Sequence, residues 1–323
     1  MSCSTTWVAG MTTSLALDIG LAGLIFAIGT WTVFARDSLA AVIGFVGYGL
    51  LLAIIWVRLS APDVALTEAA IGSGMTGMLL LGAAARLRPA GNQSTRTSLG
   101  GRFAIGVLCG MISAGLAIAI LFPPESIPSL APTVMQNLAP SGLGNPVAGV
   151  LFVFRALDTL LEKVVLILAL LGIWSLATDR AWGGVPGLRI YLEPSNTLTF
   201  LAQLLPPVGV VVGVYMCWVG ANVPGGAFQG GTVLAAMWLL VMIAGLRNVP
   251  PIDGFWLRFL LVIGPVIFLA IGLAGFVLAD AFLAYPAGYA KPLIVAVEVA
   301  LTLSIAVTLG MLGAGPPERS RHS

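Results

Sequence analysis

The chain is poor in charge and in the residues that build catalytic centres. Of its 323 residues, 15 are Lys or Arg, 13 are Asp or Glu, and the one histidine is His322, near the end of the sequence. The cysteines, Cys3, Cys109 and Cys217, are widely separated and odd in number, which predicts free thiols rather than a metal or disulfide framework. These shortages argue against metal catalysis, and no cofactor or metal is expected. A formal net charge of +2 gives no basis for binding nucleic acid.

What the chain has in abundance is apolar sequence. Hydrophobic residues make up 59% of it and the mean hydropathy is +1.03, whereas soluble domains have about 45–50% apolar residues. The expected fold is therefore all-α, in a polytopic integral membrane protein. The first 13 residues include no basic residue, so we do not expect a cleavable signal peptide there. About nine transmembrane segments are predicted, near residues 14–34, 38–58, 62–85, 103–122, 146–178, 198–219, 226–246, 255–279 and 292–314.

Positive charges predict how these segments are oriented. If nine helices alternate in direction, one side of the membrane has only Arg58 and Lys291, and two further cations lie within a helix. Because basic loops stay in the cytoplasm, the N-terminus is predicted outside and the C-terminus in the cytoplasm. The cytoplasmic side would collect Arg36, Arg86, Arg88, Arg96, Arg102, Arg180, Arg189, Arg247, Arg258, Arg319 and Arg321.

Two polar loops divide the chain into three predicted domains. The loops at 86–102 and 179–196 contain clusters of Gly, Pro and polar residues between apolar runs. They delimit a three-helix domain at 1–101, a two-helix domain at 102–190 and a four-helix domain at 191–323. No internal repeat is visible, so the inverted-repeat architecture of many carriers is not indicated.

The most unusual stretch is 154–163, which has four charged residues within a long apolar run that predicts a membrane helix preceded by a broken half-helix. On a helix, Arg155, Asp158 and Glu162 would share one face, with Lys163 off that face. A single charge at the centre of a membrane helix costs roughly 2.5–3.5 kcal/mol, so these groups should pair or face a protein or water interior. The alternative is that the segment lies at the membrane interface with its charges solvated.

Three other carboxylates fall within apolar helices. Asp63 follows Pro62 in the first turn of its predicted helix, where it is either a simple helix cap or a functional group. Glu68 lies deeper in the same helix and is followed by small residues that permit close packing or a distorted helix. Glu298 has no evident partner in the sequence.

A glycine-rich turn separates two segments of the last domain. Pro224, Gly225, Gly226, Gln229 and Gly230 belong to a sharp re-entry in which the glycines allow tight helix contact. The sequence leaves two interpretations open, a simple external turn and a loop that binds ions directly.

Three of these motifs resemble one family in the same order. Residues 61–69 (APDVALTEA) resemble the three-helix domain near the end of the large A subunit of Mrp-type multisubunit Na⁺/H⁺ antiporters, which is a small subunit in membrane-bound hydrogenases. Residues 154–162 (FRALDTLLE) resemble the two-helix domain that follows it. Residues 224–231 (PGGAFQGG), together with Glu298, are similar to the B subunit. Two features depart from the family pattern: no histidine precedes the turn at Ala221, and Leu161 replaces a usual glycine.

The resemblance implies an accessory subunit of an antiporter-type complex in the cytoplasmic membrane of a prokaryote, and not an enzyme. Its expected partners are large proton-channel subunits, small membrane subunits, lipid, and H⁺ with Na⁺ as an alternative cation. The expected ion pathway uses the buried carboxylates, with Glu68 and the Asp158–Glu162 face meeting across a hydrated interface and Arg155 and Lys163 adjusting their charge. The main alternative is a structural adaptor that joins antiporter-like subunits to one another or to a redox module. A stand-alone permease is a weaker alternative, because no repeat is present.

Overall fold

The computed structural model describes residues 3–86, 98–123, 129–188 and 195–319, without the side chains of residues 3–14, 85, 86 and 319. The described chain is mostly helical, as predicted for an all-α membrane protein. Several residues named above lie outside the described part: Arg88, Arg96, Arg189, Arg321 and His322.

The first segment forms two long helices and a third rod of mixed helix type. Helix α1 covers Cys3–Phe34 and α2 covers Ser38–Arg58, whose first turn is capped by the Asp37 carboxylate accepting from Ala40 N at 3.1 Å. The third rod consists of α3 (Pro62–Thr67), the π-helix π1 (Glu68–Met75) and α4 (Thr76–Arg86) without interruption. Pro62 is tolerated because it stands in the first turn of α3, where its missing N–H removes no helical hydrogen bond.

The middle segment contains one intact long helix and one broken span. Its elements are α5 (Leu99–Leu121), α6 (Ala131–Leu138), a short 3₁₀ turn (Ala139–Ser141), α7 (Pro146–Gly149), the π-helix π2 (Val150–Phe154) and α8 (Ala156–Trp174). The break falls at Arg155, whose φ of −134° and ψ of 38° are not helical. The structure thus contains the broken half-helix that was predicted before the charged run.

The last segment supplies the core. Helices α9 (Asn196–Val219), α10 (Ala227–Ile243), α11 (Phe255–Leu278) and α12 (Ala290–Ala314) pack together, and two short strands, β1 (Val185–Pro186) and β2 (Pro317–Arg319), pair antiparallel. Helix α12 is central, because two thirds of its most apolar window is buried within the chain. Its inward stripe, at helical spacing, consists of Ile294, Val297, Leu301 and Ile305.

Seven helices among the described residues are long and apolar enough to cross a membrane. They are Leu15–Phe34, Ser38–Arg58, Pro62–Ala84, Leu99–Leu121, Asn196–Val219, Phe255–Leu278 and Ala290–Ala314. The other two predicted segments correspond to the α7–π2–α8 span, which has charged residues, and to the 17-residue helix α10. A polytopic membrane fold is confirmed, while the count of nine and the orientation remain predictions.

Helix ends that the alternating topology places on one side do meet in the structure. At one end, Gly225 N donates to the Asp63 carboxylate at 3.0 Å, joining the start of α3 to the turn before α10. At the other end, Ile252 N donates to Gly184 O at 2.9 Å. Many of the polar residues that the sequence singled out lie near the end where Asp63 meets Gly225.

Candidate ion-pathway site

A cavity of about 290 Å³ lies where the three segments meet. Its apolar walls come from α3, π1, α7, π2, α10 and α12, and its polar groups converge from all three segments. The polar and glycine positions that line it are Asp63, Thr67, Asn145, Thr159, Glu162, Lys163, Gly225, Gly226, Gln229 and Glu298.

The start of α3 is fixed against the glycine-rich turn. Asp63 is 8% exposed, and its carboxylate accepts from the backbone N–H of Gly225, which lies 162 residues away in sequence. One helical turn further on, Gln229 Nε2 donates to Thr67 Oγ1 at 3.2 Å. Asp63 is therefore not a simple cap of its own helix, since its hydrogen bond joins the first segment to the last.

Asn145 fixes the broken span to the same turn. Its side-chain amide donates to Gly220 O at 3.1 Å and to Val223 O at 3.2 Å, while its Oδ1 accepts from Val147 N at 2.9 Å and so caps α7. We call the contact between this turn and the other two segments the seam. All of the Asn145 contacts reach backbone atoms, so this residue defines the path of the chain on both sides of the seam.

The turn itself is only partly external. Pro224 is exposed, whereas Gly226 and Gln229 are buried against the cavity. Gly225 and Gly226 have φ values of +153° and +124°, a backbone conformation that side-chain-bearing residues rarely adopt. The interpretation as a simple surface turn is therefore incomplete, because half of the turn forms the cavity wall.

Lys163 is the buried member of the charged run. It is 6% exposed and its ammonium group contacts two partners, Glu162 Oε1 at 3.1 Å and the ring of Phe228, whose centroid is 3.9 Å away. The ring face attracts the cation, and the carboxylate neutralises it. Glu162 is half exposed, with 51% of its side chain accessible, so the pair spans the cavity wall and the surface.

Glu298 lines the same cavity from the central helix, α12. It is 1% exposed, and within the described residues its Oε2 has no hydrogen-bond partner. A Cβ atom would lie 3.1 Å from Glu298 Oε1 if placed on Gly220 and 3.5 Å from it if placed on Gly226. The glycines therefore leave room for the carboxyl group to reach the turn.

Both π-helices border this cavity. Ile71 of π1 and Leu151 of π2 line it, and the Thr159 hydroxyl donates at 2.7 Å to Leu151 O across the break. Short π-helical insertions are frequent at functional sites, because they redirect side chains and free backbone groups. The sequence left open a distorted helix after Glu68 but did not predict either π-helix, and Asn145 was missed; the Asn-Pro pair at 145–146 was the available signal for Asn145.

Glu68 lies away from the cavity. Its carboxylate is beside Gly49 of α2 and Gly72 of its own rod. Five residues separate it from Asp63, which on an α-helix places the two side chains roughly 140° apart. The expected meeting of Glu68 with the charged run is therefore not what the structure shows, and Asp63 occupies that place.

Arg155 and Asp158 are also separate from the cavity. They pair with each other, Nε and Nη2 of Arg155 both lying 2.5 Å from Asp158 Oδ2, on an exposed surface. Asp158 and Glu162 keep the predicted i,i+4 spacing within α8, whereas Arg155, the residue before α8, lies outside the regular helix and still pairs with Asp158. The four charges do pair, as membrane burial requires, but as Arg155–Asp158 and Glu162–Lys163.

Comparison with known families assigns both ends of the chain. Residues 23–89 match the family of MbhD, one of the subunits of MBH, and residues 197–314 match the domain related to the MnhB subunit of the Na⁺/H⁺ antiporter. The chain joins an MbhD domain to an MnhB-type domain. It is a membrane-arm subunit of the Mrp and MBH type, in which A-like and B-like parts are fused.

Relatives of this Mrp/MBH-type subunit are antiporter subunits. It is 32% identical to the putative antiporter subunit mnhA2 of Staphylococcus haemolyticus over 165 residues, and 31% identical to that of Staphylococcus aureus strain JH9 over 166 residues. Each match covers 50% of this chain and 20% of the relative, so the chain spans about a fifth of the length of these curated relatives.

Two solved structures share the fold. A chain of the Mrp complex from Dietzia sp. DQ12-45-1b matches with a TM-score of 0.71 at 23% identity, over 99% of this chain and 39% of that one. A chain of the membrane-bound sulfane sulfur reductase, an archaeal respiratory membrane complex, matches with a TM-score of 0.53 at 22% identity, over 66% of this chain and 97% of that one. These matches support a multi-pass membrane fold for this chain.

Proposed function

We propose that this subunit contributes buried carboxylates to an H⁺ pathway in a multisubunit cation/proton antiporter-type complex, with Na⁺ as the second candidate cation. The observation that carries the proposal is Glu298, a carboxyl group buried in the central helix with an oxygen that no described donor contacts. Buried ionisable groups inside membrane proteins are costly, and ion pathways are their usual role.

The arrangement of charge around the cavity supports cation movement. Asp63 and Glu162 line the same space as Glu298, so three carboxyl groups face a single lysine among the described residues. Lys163 is a tethered cation held by Glu162 and Phe228, and it competes with any mobile cation for the carboxylates. A cavity of this size also holds several water molecules, each of which takes about 30 Å³, so protons can pass between groups that are not in direct contact.

The test is Glu298→Gln in the assembled complex, reconstituted into liposomes with a pH-sensitive dye. We expect cation-driven proton movement to fall at least about tenfold, in line with the contribution of a positioned proton-transfer group. Asp179→Asn is the matched control, because Asp179 is an exposed carboxylate next to the opposite end of α8. Unchanged transport in Glu298→Gln, with full subunit content, would refute the proposed pathway.

The adaptor function is the second candidate, and the seam favours it. Asp63 and Asn145 use their side chains to hold three segments together through backbone contacts. If adaptor function alone applies, Glu298→Gln and Asp63→Asn will reduce the recovery of partner subunits and leave the transport rate per intact complex unchanged.

A further inference from the structure

A second cavity, of about 460 Å³, lies at the surface of the chain, at the break in the α7–π2–α8 span. Its polar groups are the Arg155 and Asp158 side chains, which are 71% and 56% exposed. From Pro146 to Arg155 the chain advances roughly 13 Å at the rise of an α-helix. That distance exceeds the roughly 5–8 Å of the interfacial layer on one side of a bilayer, so a span that enters the bilayer at Pro146 places the pair at the depth of the hydrocarbon.

The opposite wall of this cavity is also unusual for membrane depth. Phe282 and Leu283 line it from the loop between α11 and α12, and Leu283 N donates to Gly272 O at 3.0 Å, so the loop folds back along α11. Asp280 and Leu283 have φ values of +58° and +59°. Irregular backbone at this depth is stable only where protein or water covers it.

The ion pair leaves polar atoms available towards the cavity. Both contacts of the Arg155 guanidinium go to a single oxygen, Asp158 Oδ2. In the part of the chain that the structure describes, Arg155 Nη1 and Asp158 Oδ1 therefore have no partner. Lipid chains have no group to satisfy them, and lipid headgroups lie too near the surface of the bilayer.

We propose that a transmembrane helix of another subunit covers this cavity and presents a carboxylate to the free edge of Arg155. The planar guanidinium holds donors in a fork that matches two carboxylate oxygens, which favours Asp or Glu over a neutral side chain as the contacting group. This contact does not depend on the proposed ion pathway, because the two cavities have no charged residue in common among the described residues.

The decisive variant is the charge swap R155D/D158R. The swap preserves an ion pair within the chain but reverses its polarity, so a self-contained pair would tolerate it and a partner carboxylate would not. After purification of the complex in mild detergent, we expect the swap and Arg155→Gln each to lower recovery of one membrane subunit about tenfold or more, the scale of losing a charged hydrogen bond. Arg155→Lys, which keeps the charge without the fork, should retain part of that recovery.

Arg58→Gln is the matched control, because Arg58 also forms an exposed ion pair, with Asp18 at 2.9 Å, but at a helix end. We expect the control to leave subunit recovery unchanged. Full recovery in the R155D/D158R swap would overturn the proposal.

A second measurement covers the case in which the charge variants fail to accumulate. Leu157 is 50% exposed and lines the same cavity, so a photo-crosslinking residue there samples whatever lies opposite. We expect a cross-link to a transmembrane helix of another subunit that has an Asp or Glu within about one turn of the linked residue. A cross-link to lipid alone, or to a helix without a carboxylate, would refute the proposal.

Discussion

Asn145 shows how one neutral side chain can determine the geometry of a charged site. Its amide contacts two carbonyls of the turn, and its oxygen caps α7, so all of its polar atoms are used within the protein. It is 5% exposed, which means that water cannot replace these partners without local opening.

Asn145→Ala should therefore destabilise the fold by about 1–3 kcal/mol, because it leaves buried backbone groups unsatisfied. Thermal unfolding of the purified subunit in detergent measures the effect. Asn137→Ala is the control, since Asn137 is exposed and its amide contacts only Thr133 O in its own helix among the described residues. Equal unfolding temperatures for the two variants would contradict the role given to Asn145.

The charged residues themselves could be found from the sequence, because each interrupts an apolar run and a charge in a membrane helix carries a cost in free energy. Their partners could not. Glu68 was favoured over Asp63 because it lies deeper in the helix, but only Asp63 reaches the turn, through a contact that spans 162 residues. Such a long-range contact depends on packing that local sequence does not encode.

The π-helices are the elements that most change the outcome. Helical spacing predicts which side chains share a face only while the helix stays regular, and the rods containing Glu68 and Arg155 both depart from regularity at those residues. The positions of the helices followed from hydropathy. Their rotation about their own axes did not, which is why the prediction placed Glu68, rather than Asp63, beside the charged run.

Contact between α9 and α10 depends on the absence of a side chain at Gly230. A Cβ atom there would lie 2.6 Å from Gly213 O, which is backbone and cannot easily move away. Gly230→Ala should destabilise the subunit by about 1–3 kcal/mol, the usual scale of overpacking, and thermal unfolding in detergent would measure the loss.

Gly110→Ala in α5 is the matched control, because a Cβ atom there meets nothing within 4 Å. This control should be neutral or stabilising, since alanine favours helix more than glycine does. A Gly230→Ala variant as stable as the control would show that the two helices do not pack as the structure has them.

On the scale of the whole molecule, the distribution of arginine predicts an external seam and a cytoplasmic strand pair. Pro224→Cys and Asp179→Cys, both at exposed positions near opposite ends, test this in a background with the native cysteines replaced. A membrane-impermeant maleimide should label Pro224→Cys in intact cells and Asp179→Cys only after permeabilisation. The reverse pattern would invert the orientation.

The seam hydrogen bonds form between parts of a single polypeptide, and this changes how the site assembles. The Asp63–Gly225 contact closes a loop within one chain, so its formation is first order and independent of how much protein the membrane contains. Separate subunits would have to meet by lateral diffusion and would dissociate on dilution. Covalent fusion thus fixes a one-to-one ratio of the A-like and B-like parts and keeps their shared cavity intact at low expression.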